Sequence, residues 1–289
     1  MAEILTSKPV VCAMGENIRP RVAALKEAGI TPTLAIVRVG DRPDDLSYER
    51  TAIKRAESLG IETRVFRLDE FVTEFELHSQ LHDINVDSSI HGCLLFRPLP
   101  TFMDEKKICD ELTIDKDVDG ISTAALGAVF TDSSEGFAPC TAEACIKMLD
   151  HYGIEIEGKH AVVVGRSLVI GKPVAMLLLR RNASVTICHS RTRDLHRIMR
   201  AADIVICATG RPRAYGPMFF SPGQTVLDVG INFDVNGNLC GDVDFESVEP
   251  IVSFITPVPG GVGSVTTSTT MEHTVLAAER VARKTGALQ

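Results

Sequence analysis

The residues with the clearest chemical use lie around Val162-Val163-Val164-Gly165-Arg166-Ser167, an apolar run that ends in glycine and is followed by Gly171-Lys172-Pro173. A strand that gives way to a glycine loop and then a helix can bring backbone N–H groups against a phosphate, because glycine has no Cβ to hold the ligand off and a helix start is electropositive. The spacing departs from G-x-G-x-x-G, so spacing by itself leaves a plain strand-to-helix turn equally open. The next strand-like segment ends in Cys188-His189-Ser190-Arg191, about 20 residues on, where a binder of NAD places a carboxylate on the ribose. No acid stands there. Arg166, Ser190 and Arg191 offer cations and a hydroxyl, the partners a 2'-phosphate needs, which favours NADP over NAD. The alternative is that these arginines solvate strand ends.

Other reactive side chains have plainer readings. His78 and His82 stand four apart in a helical stretch, but no third ligand accompanies them, and no metal is expected. Tyr48 alone reads as a half-buried packing residue and Asp119 as a loop-capping carboxylate. Asp104-Glu105-Lys106-Lys107 reads as a solvated helix face. The eight cysteines occur singly, several inside apolar runs, and read as reduced core residues, Cys140 and Cys145 among them as structural thiols.

The elements that must position these groups alternate between helical and extended patterns. Val10 to Ala28, Tyr48 to Leu59, Glu74 to Asn85 and Thr141 to His151 read as helices, as does a stretch from the glycine loop through Arg181. Thr33 to Val39, Glu62 to Phe66, Gly92 to Phe96, Ala161 to Val164, Ser184 to Cys188, Ala202 to Ala208 and Thr225 to Val229 read as strands. This order predicts an α/β protein with parallel sheets, its second half Rossmann-like. With 289 residues the natural division is into two lobes of roughly 130 to 150 residues each. Pro139-Cys140-Thr141 and the Pro/Gly cluster from Pro257 to Gly263 are the candidate boundaries, and the hydroxyl-rich Thr266 to Thr270 is read as opening the last helix. An N-terminal domain over 1–139, joined by a C-terminal helix over 267–289, is expected beside a dinucleotide-binding domain over 140–266. A net charge of -8, no Trp and only three Tyr argue against a nucleic-acid partner. No signal segment and no apolar run of bilayer-spanning length are readable, so no membrane association and a cytoplasmic location are expected.

Further motifs stand in a fixed order. Val39-Gly40 is followed eight residues later by Tyr48, and then come Asp115-Lys116-Asp117-Val118-Asp119-Gly120 and Pro139-Cys140-Thr141. The glycine loop and His189-Ser190-Arg191-Thr192 follow, then Asp228-Val229-Gly230-Ile231-Asn232 and Thr256-Pro257-Val258-Pro259-Gly260-Gly261-Val262-Gly263. Together they resemble the methylenetetrahydrofolate dehydrogenase/cyclohydrolase family over nearly the whole chain. The resemblance implies two-lobed α/β subunits, a homodimer, and a tetrahydrofolate substrate bound between lobes. It implies oxidation of 5,10-methylenetetrahydrofolate with NADP, commonly followed by hydrolysis to 10-formyltetrahydrofolate. Tyr48 and Asp119 are then the catalytic candidates, and Leu99, Pro100, Pro259, Gly260 and Gly261 join them in binding substrate. Gly165, Arg166, Ser167, Gly171, Pro173, His189, Ser190, Arg191, Thr209, Gly230 and Ile231 form the cofactor set.

Two departures from the family pattern bear on the hydrolytic chemistry, and smaller ones stand at Asp45, Ala142, Ala144 and Ser264. The family's Tyr-x-x-x-Lys pair has Tyr48 here but Ala52 at the lysine position. Lys54 lies six residues from Tyr48, about 240° around a helix, and should point away. Where the family has Gln-Leu-Pro-Leu-Pro, this chain reads Phe96-Arg97-Pro98-Leu99-Pro100. Arg97 stays protonated and is a poor base. Hydride transfer relies on positioning, whereas losing a general acid/base costs about 10² to 10⁴-fold. The expectation is therefore a dehydrogenase with weak or lost cyclohydrolase activity. The alternatives are the full bifunctional enzyme and a binding protein without turnover.

Overall fold

A computed structural model describes residues 1–288 of the chain. In chain order the strands are β1 (Glu3–Ile4), β2 (Thr33–Val39), β3 (Glu62–Leu68), β4 (Gly92–Leu95), β5 (His160–Val164), β6 (Ser184–Cys188), β7 (Ile204–Cys207), β8 (Thr225–Asp228), β9 (Asn232–Phe233), β10 (Leu239–Cys240) and β11 (Phe254–Ile255). The helices are α1 (Ser7–Glu27), α2 (Pro43–Leu59), α3 (Glu74–Val86), α4 (Glu105–Glu111), α5 (Thr123–Phe130), α6 (Cys140–His151), α7 (Gly171–Arg180), α8 (Leu195–Arg200), α9 (Phe245–Val248) and α10 (Val262–Lys284).

The chain divides into two compact units. One contains Met1–Val11 and Thr141–Thr266, the other Cys12–Cys140 and the chain from Thr267 onward. The first eleven residues, expected with the N-terminal domain, thus belong to the other unit. The reason is β1, a two-residue strand too short to be read from periodicity, which pairs in parallel with β11 through Glu3↔Phe254 and Ile4↔Ile255.

In the first of these units a six-stranded sheet has the order β1-β11-β8-β7-β5-β6, and all its pairings are parallel. Its central strands, such as Ala161–Val164 and Ile204–Cys207, are buried throughout, which is why they read as continuous apolar runs instead of alternating ones. Leaving β5, the chain builds β6 on one side and then returns to build β7 on the other, so the loop after Val164 sits at a switch point of the sheet. Register brings Val164 level with Cys188 and Cys207, and Cys207 level with Asp228. The loops that follow these strands therefore emerge along one edge.

The three-stranded unit has the parallel order β3-β2-β4, extended by a bridge between Cys93 and Asp117. Burying side chains such as Leu34 and Ile36 on β2 contributes about 1.5–3 kcal/mol each. Arg38 interrupts this apolar strand and is buried, but its Nε donates to Glu49 Oε2 at 2.8 Å, and Arg67 Nη2 donates to Glu49 Oε1 at 3.1 Å. That ion pair ties α2 to β2 and β3; Arg38 Nη1 also bonds Gly40 O and Asp41, so removing Glu49 alone would leave Nε without an acceptor at a cost of about 1–3 kcal/mol.

Helix α2 starts earlier than the apolar pattern suggests, because Pro43 occupies its first turn with Asp44 and Asp45, residues suited to an electropositive helix start. It ends at Gly60 in the left-handed region (φ 77°). Its buried stripe is Asp45, Glu49, Ala52, Ala56 and Leu59. Helix α10 likewise begins at Val262, ahead of the hydroxyl-rich tract, which lies inside it. Thr267, Ser268, Thr269 and Thr270 are all buried. Among the described residues no helix is long and apolar enough to cross a membrane.

Candidate active site

In the six-stranded unit the glycine loop is fixed by close backbone approach. Gly165 has φ +139°, and a Cβ on it would lie 2.3 Å from Ala208 O. A Cβ on Gly171 would lie 2.4 Å from Gly165 O. Both positions therefore exclude any side chain. Ser167 Oγ accepts from Ile170 N (3.2 Å) and Gly171 N (3.4 Å), which caps the entry to α7, while Pro173 is buried in the first turn, where a missing N–H costs nothing. Arg166 is exposed after β5, and Ser190 and Arg191 are exposed after the adjacent β6. His189 Nδ1 accepts from Arg191 N at 3.1 Å, which closes that turn.

The remaining cofactor candidates are organised by two aspartates. Asp242 is fully buried and accepts from Thr209 Oγ1 (2.9 Å), Gly210 N (3.2 Å), Arg211 N (2.8 Å) and Asn232 Nδ2 (3.0 Å). The Thr209 hydroxyl is thereby committed to shaping its own loop. Asp228 accepts from the N–H groups of Gly230, Asp242 and Val243. Burial pushes its carboxyl up to about 7, against the lowering effect of those three amides. A Cβ on Gly230 would meet Asp242 Oδ1 at 2.2 Å, so Gly230 is required, and Ile231 beside it is exposed. Asp242 was absent from the sequence-derived set, because its role is to satisfy backbone amides from several distant turns, and such a role leaves no local spacing signature.

Pro259, Gly260 and Gly261 belong to the same unit. Gly260 has φ +98°, and its carbonyl accepts from Ser7 N at 2.7 Å. A Cβ on Gly261 would lie 2.4 Å from Pro257 O.

In the three-stranded unit the acidic loop distributes its charges. Asp115 pairs with Lys284 (3.1 Å), and Lys116 Nζ donates to the carbonyls of Ile84 and Asp87 at the end of α3. Asp117 is fully buried and accepts from Ile121 N (3.0 Å) and Ser122 N (2.8 Å). The loop-tying role considered for Asp119 thus falls to Asp117. Asp119 hydrogen-bonds the Cys140 thiol, and its withdrawal from solvent pushes its carboxyl up to about 6, against the opposing pull of the Arg97 charge.

Cys140 is itself held within a buried polar network. Its Sγ lies 3.1 Å from Val118 O and accepts from Thr270 Oγ1 (3.3 Å). His273 Nδ1 lies 2.8 Å from Val118 O, so this nitrogen carries the proton. The His273 ring stacks on Phe137 with centroids 4.7 Å apart. Cys140, expected as a structural thiol, is part of a polar network here, and His273 carries no local motif that marks it. The hydroxyl-rich tract of α10 is the signal, since a helix with four consecutive buried hydroxyl residues must satisfy them inside the fold.

Tyr48 projects from α2 and hydrogen-bonds Thr267. Burial, with the negative neighbour Asp119, pushes its phenol above the ordinary range. Its ring lies 5.3 Å from that of Phe96, inclined by 39°. Ala52 is fully buried and Phe96 nearly so, in one apolar cluster with Tyr48 packed against it. The space a lysine and glutamine would need is filled by hydrocarbon. Lys54 is exposed. Leu99 is buried, with its N–H donating to Glu105 Oε2 at 2.9 Å, and Pro100 is half-buried beside it.

His78 and His82 gain no metal-site partners. His78 Nδ1 faces Glu111 Oε2 at 3.2 Å, and no group of three or more His, Cys, Asp or Glu side chains among the described residues could hold a metal ion. No disulfide is formed among the described residues.

A glycine loop at the switch point of a parallel sheet defines one unit as a dinucleotide-binding domain, and the other is an α/β unit with polar side chains after its strands. Comparison with known proteins agrees. Residues 5–119 match the catalytic domain of tetrahydrofolate dehydrogenase/cyclohydrolase, and residues 139–282 match the NAD(P)-binding domain of the same family. The chain belongs to the tetrahydrofolate dehydrogenase/cyclohydrolase family. It is 51% identical over 281 residues to the bifunctional protein FolD of Carboxydothermus hydrogenoformans, covering 96% of this chain and 98% of that one. The crystal structure of the bifunctional FolD enzyme from Campylobacter jejuni superposes with a TM-score of 0.95 at 37% identity, covering 97% of this chain and all of the other. The Trypanosoma brucei FolD, complexed with NADP cofactor and inhibitor, gives a TM-score of 0.92 at 33% identity, covering 98% and 99%.

Proposed function

We propose that this chain oxidises 5,10-methylenetetrahydrofolate to 5,10-methenyltetrahydrofolate with NADP. The observation that carries the reading is the pairing of a loop whose glycines exclude any Cβ with exposed Arg166, Ser190 and Arg191 at adjacent strand ends and no acid at the ribose position. Those glycines leave room for a pyrophosphate at backbone distance, and the arginines and serine suit a 2'-phosphate. When bound, NADP accepts the two electrons and the hydrogen that leave the methylene carbon.

In the three-stranded unit, the Tyr48 ring gives the folate a flat apolar face, and the Asp119 carboxylate accepts from the pterin N–H groups. Leu99 and Pro100 are further candidates for substrate contact, as are Pro259, Gly260 and Gly261. No proton need be abstracted in this step, so neither Ala52 nor Phe96 obstructs it.

The hydrolytic half-reaction has two readings. The relatives carry the name bifunctional at up to 51% identity over nearly the whole chain, and this favours the full dehydrogenase/cyclohydrolase over the loss of hydrolysis. On that reading a group other than residue 52 moves the proton, and Asp119, whose carboxyl is pushed up to about 6, is a titrating candidate. Weak or lost hydrolysis rests instead on the apolar filling around Ala52 and Phe96.

Supplying methylenetetrahydrofolate with NADP, and methenyltetrahydrofolate alone, separates the halves. NADPH formation supports the dehydrogenase, and its absence at saturating substrate overturns it. Hydrolysis well above the spontaneous rate supports the bifunctional enzyme, whereas hydrolysis at that rate supports the reduced one. A homodimer belongs to the same proposal, and its mass by light scattering tests it.

A further inference from the structure

The amino ends of β2, β3 and β4 surround a cavity of about 550 Å³ that the chemistry proposed above does not use. Sites for small molecules typically span roughly 300–1,000 Å³. Thr33, Glu62, Arg64, Ser89 and His91 line it, with Thr285 just after α10. His91 is the informative member. Only 5% of it is exposed, and its Nδ1 accepts from Thr33 N at 3.2 Å, so the ring proton sits on Nε2. Nε2 has no acceptor among the described residues, where no fully enclosed side-chain nitrogen or oxygen is left without a partner. That N–H therefore opens on the cavity. Burial holds the imidazole at about 4, with Lys116 and Arg64 pushing the same way against Asp87, so at neutral pH it is an uncharged donor.

Arg64 supplies the second donor. Its Nη1 donates to Asp87 Oδ2 (3.1 Å) and Ser89 Oγ (2.9 Å), which ties the guanidinium to the loop that leads into His91. Its Nε lies 3.7 Å from Glu62 Oε1, beyond hydrogen-bond range, so the Nε–Nη2 edge keeps its donors. A guanidinium edge of this kind matches the two oxygens of a carboxylate. We propose that the cavity is a binding site for a small carboxylate, which accepts from His91 Nε2–H and from the free edge of Arg64. The charges around it favour one negative charge over the two of a phosphate. Arg64 already shares its charge with Asp87 and Glu62, and the Lys116 ammonium is committed to the carbonyls of Ile84 and Asp87.

The test is solution NMR of the full-length protein carrying carbon-13-labelled histidine, titrated at neutral pH and constant ionic strength with acetate, with its uncharged counterpart acetamide, and with inorganic phosphate. H91Q identifies the His91 signal by its disappearance. That signal should shift saturably with acetate, with a dissociation constant on the order of 1–10 mM for so small a ligand. Acetamide and phosphate should bind at least roughly tenfold more weakly. R64Q, made at a half-exposed position so that the fold is kept, should lose roughly tenfold in acetate affinity, and its thermal melt checks the fold. A shift that stays linear with acetate, or an equal response to acetamide, overturns the proposal, as does an unchanged acetate affinity in R64Q. Tighter binding of phosphate than of acetate overturns the choice of a carboxylate. No folate or dinucleotide takes part, so each of these outcomes is independent of the folate reading.

Discussion

The glycine loop of the six-stranded unit and the Tyr48–Asp119 region of the three-stranded unit are specified in different ways. At the loop the requirement is steric and backbone-borne, since a Cβ on Gly165, Gly171 or Gly230 would lie 2.2–2.4 Å from its neighbour. Such a site tolerates no partial substitution. In the Tyr48–Asp119 region the chemistry sits in side chains, and the fold accommodates their replacement, as Ala52 and Phe96 do by packing as hydrocarbon around Tyr48. Backbone-defined sites conserve their function or lose it outright, whereas side-chain-defined sites can shed one half-reaction and keep another.

Substitutions in the two regions should therefore fail differently. Gly165→Ala should have the largest effect, a loss of dinucleotide affinity of at least ~100-fold, because its φ and the Ala208 carbonyl both reject a side chain. Calorimetric titration with NADP checks this, and tetrahydrofolate affinity should be unchanged. Asp119→Asn should weaken folate binding by roughly 10 to 100-fold through lost charge-assisted hydrogen bonds. Because the Asp119 carboxyl is held at about 6, folate affinity of the wild type should fall as pH drops through that value and recover above it. The same titration on Asp119→Asn should show a flat profile there.

Ala52→Lys places an ammonium in a fully buried apolar site and should cost about 3 kcal/mol or more of stability by denaturant melt. Adding Phe96→Gln should recover part of that loss and raise methenyltetrahydrofolate hydrolysis. An unaltered rate in the double variant would mean that the missing pair does not limit hydrolysis. The smallest effect is expected from Arg191→Ala, which should narrow the preference for NADP over NAD by roughly tenfold, read from kcat/KM with each cofactor.

Most of the architecture was legible in the chain because buried parallel strands are continuous apolar runs. Thr33–Val39 and Ser184–Cys188 were read with the bounds they have. What escaped was short or non-local. Strands β1 and β11 have two residues each, and they transfer the first eleven residues to the other unit. The early start of α2 is carried by Pro43 and two acids outside its apolar stripe. Within the site, glycines and charged residues were visible by type and spacing. The assignment of loop-tying to Asp117 instead of Asp119, the amide-satisfying role of Asp242, and the Cys140–Thr270–His273 network all depend on partners far away in sequence. Such partners become visible only when the backbone accounting is complete.

The central claim, NADP-dependent oxidation of 5,10-methylenetetrahydrofolate, is tested most directly by one assay. Methylenetetrahydrofolate is supplied with NADP, then with NAD, and NADPH or NADH is followed alongside the methenyl product. The account predicts reduced cofactor and methenyltetrahydrofolate forming together in equal amounts, faster with NADP. No reduced cofactor at saturating substrate, despite binding of both ligands, would contradict it.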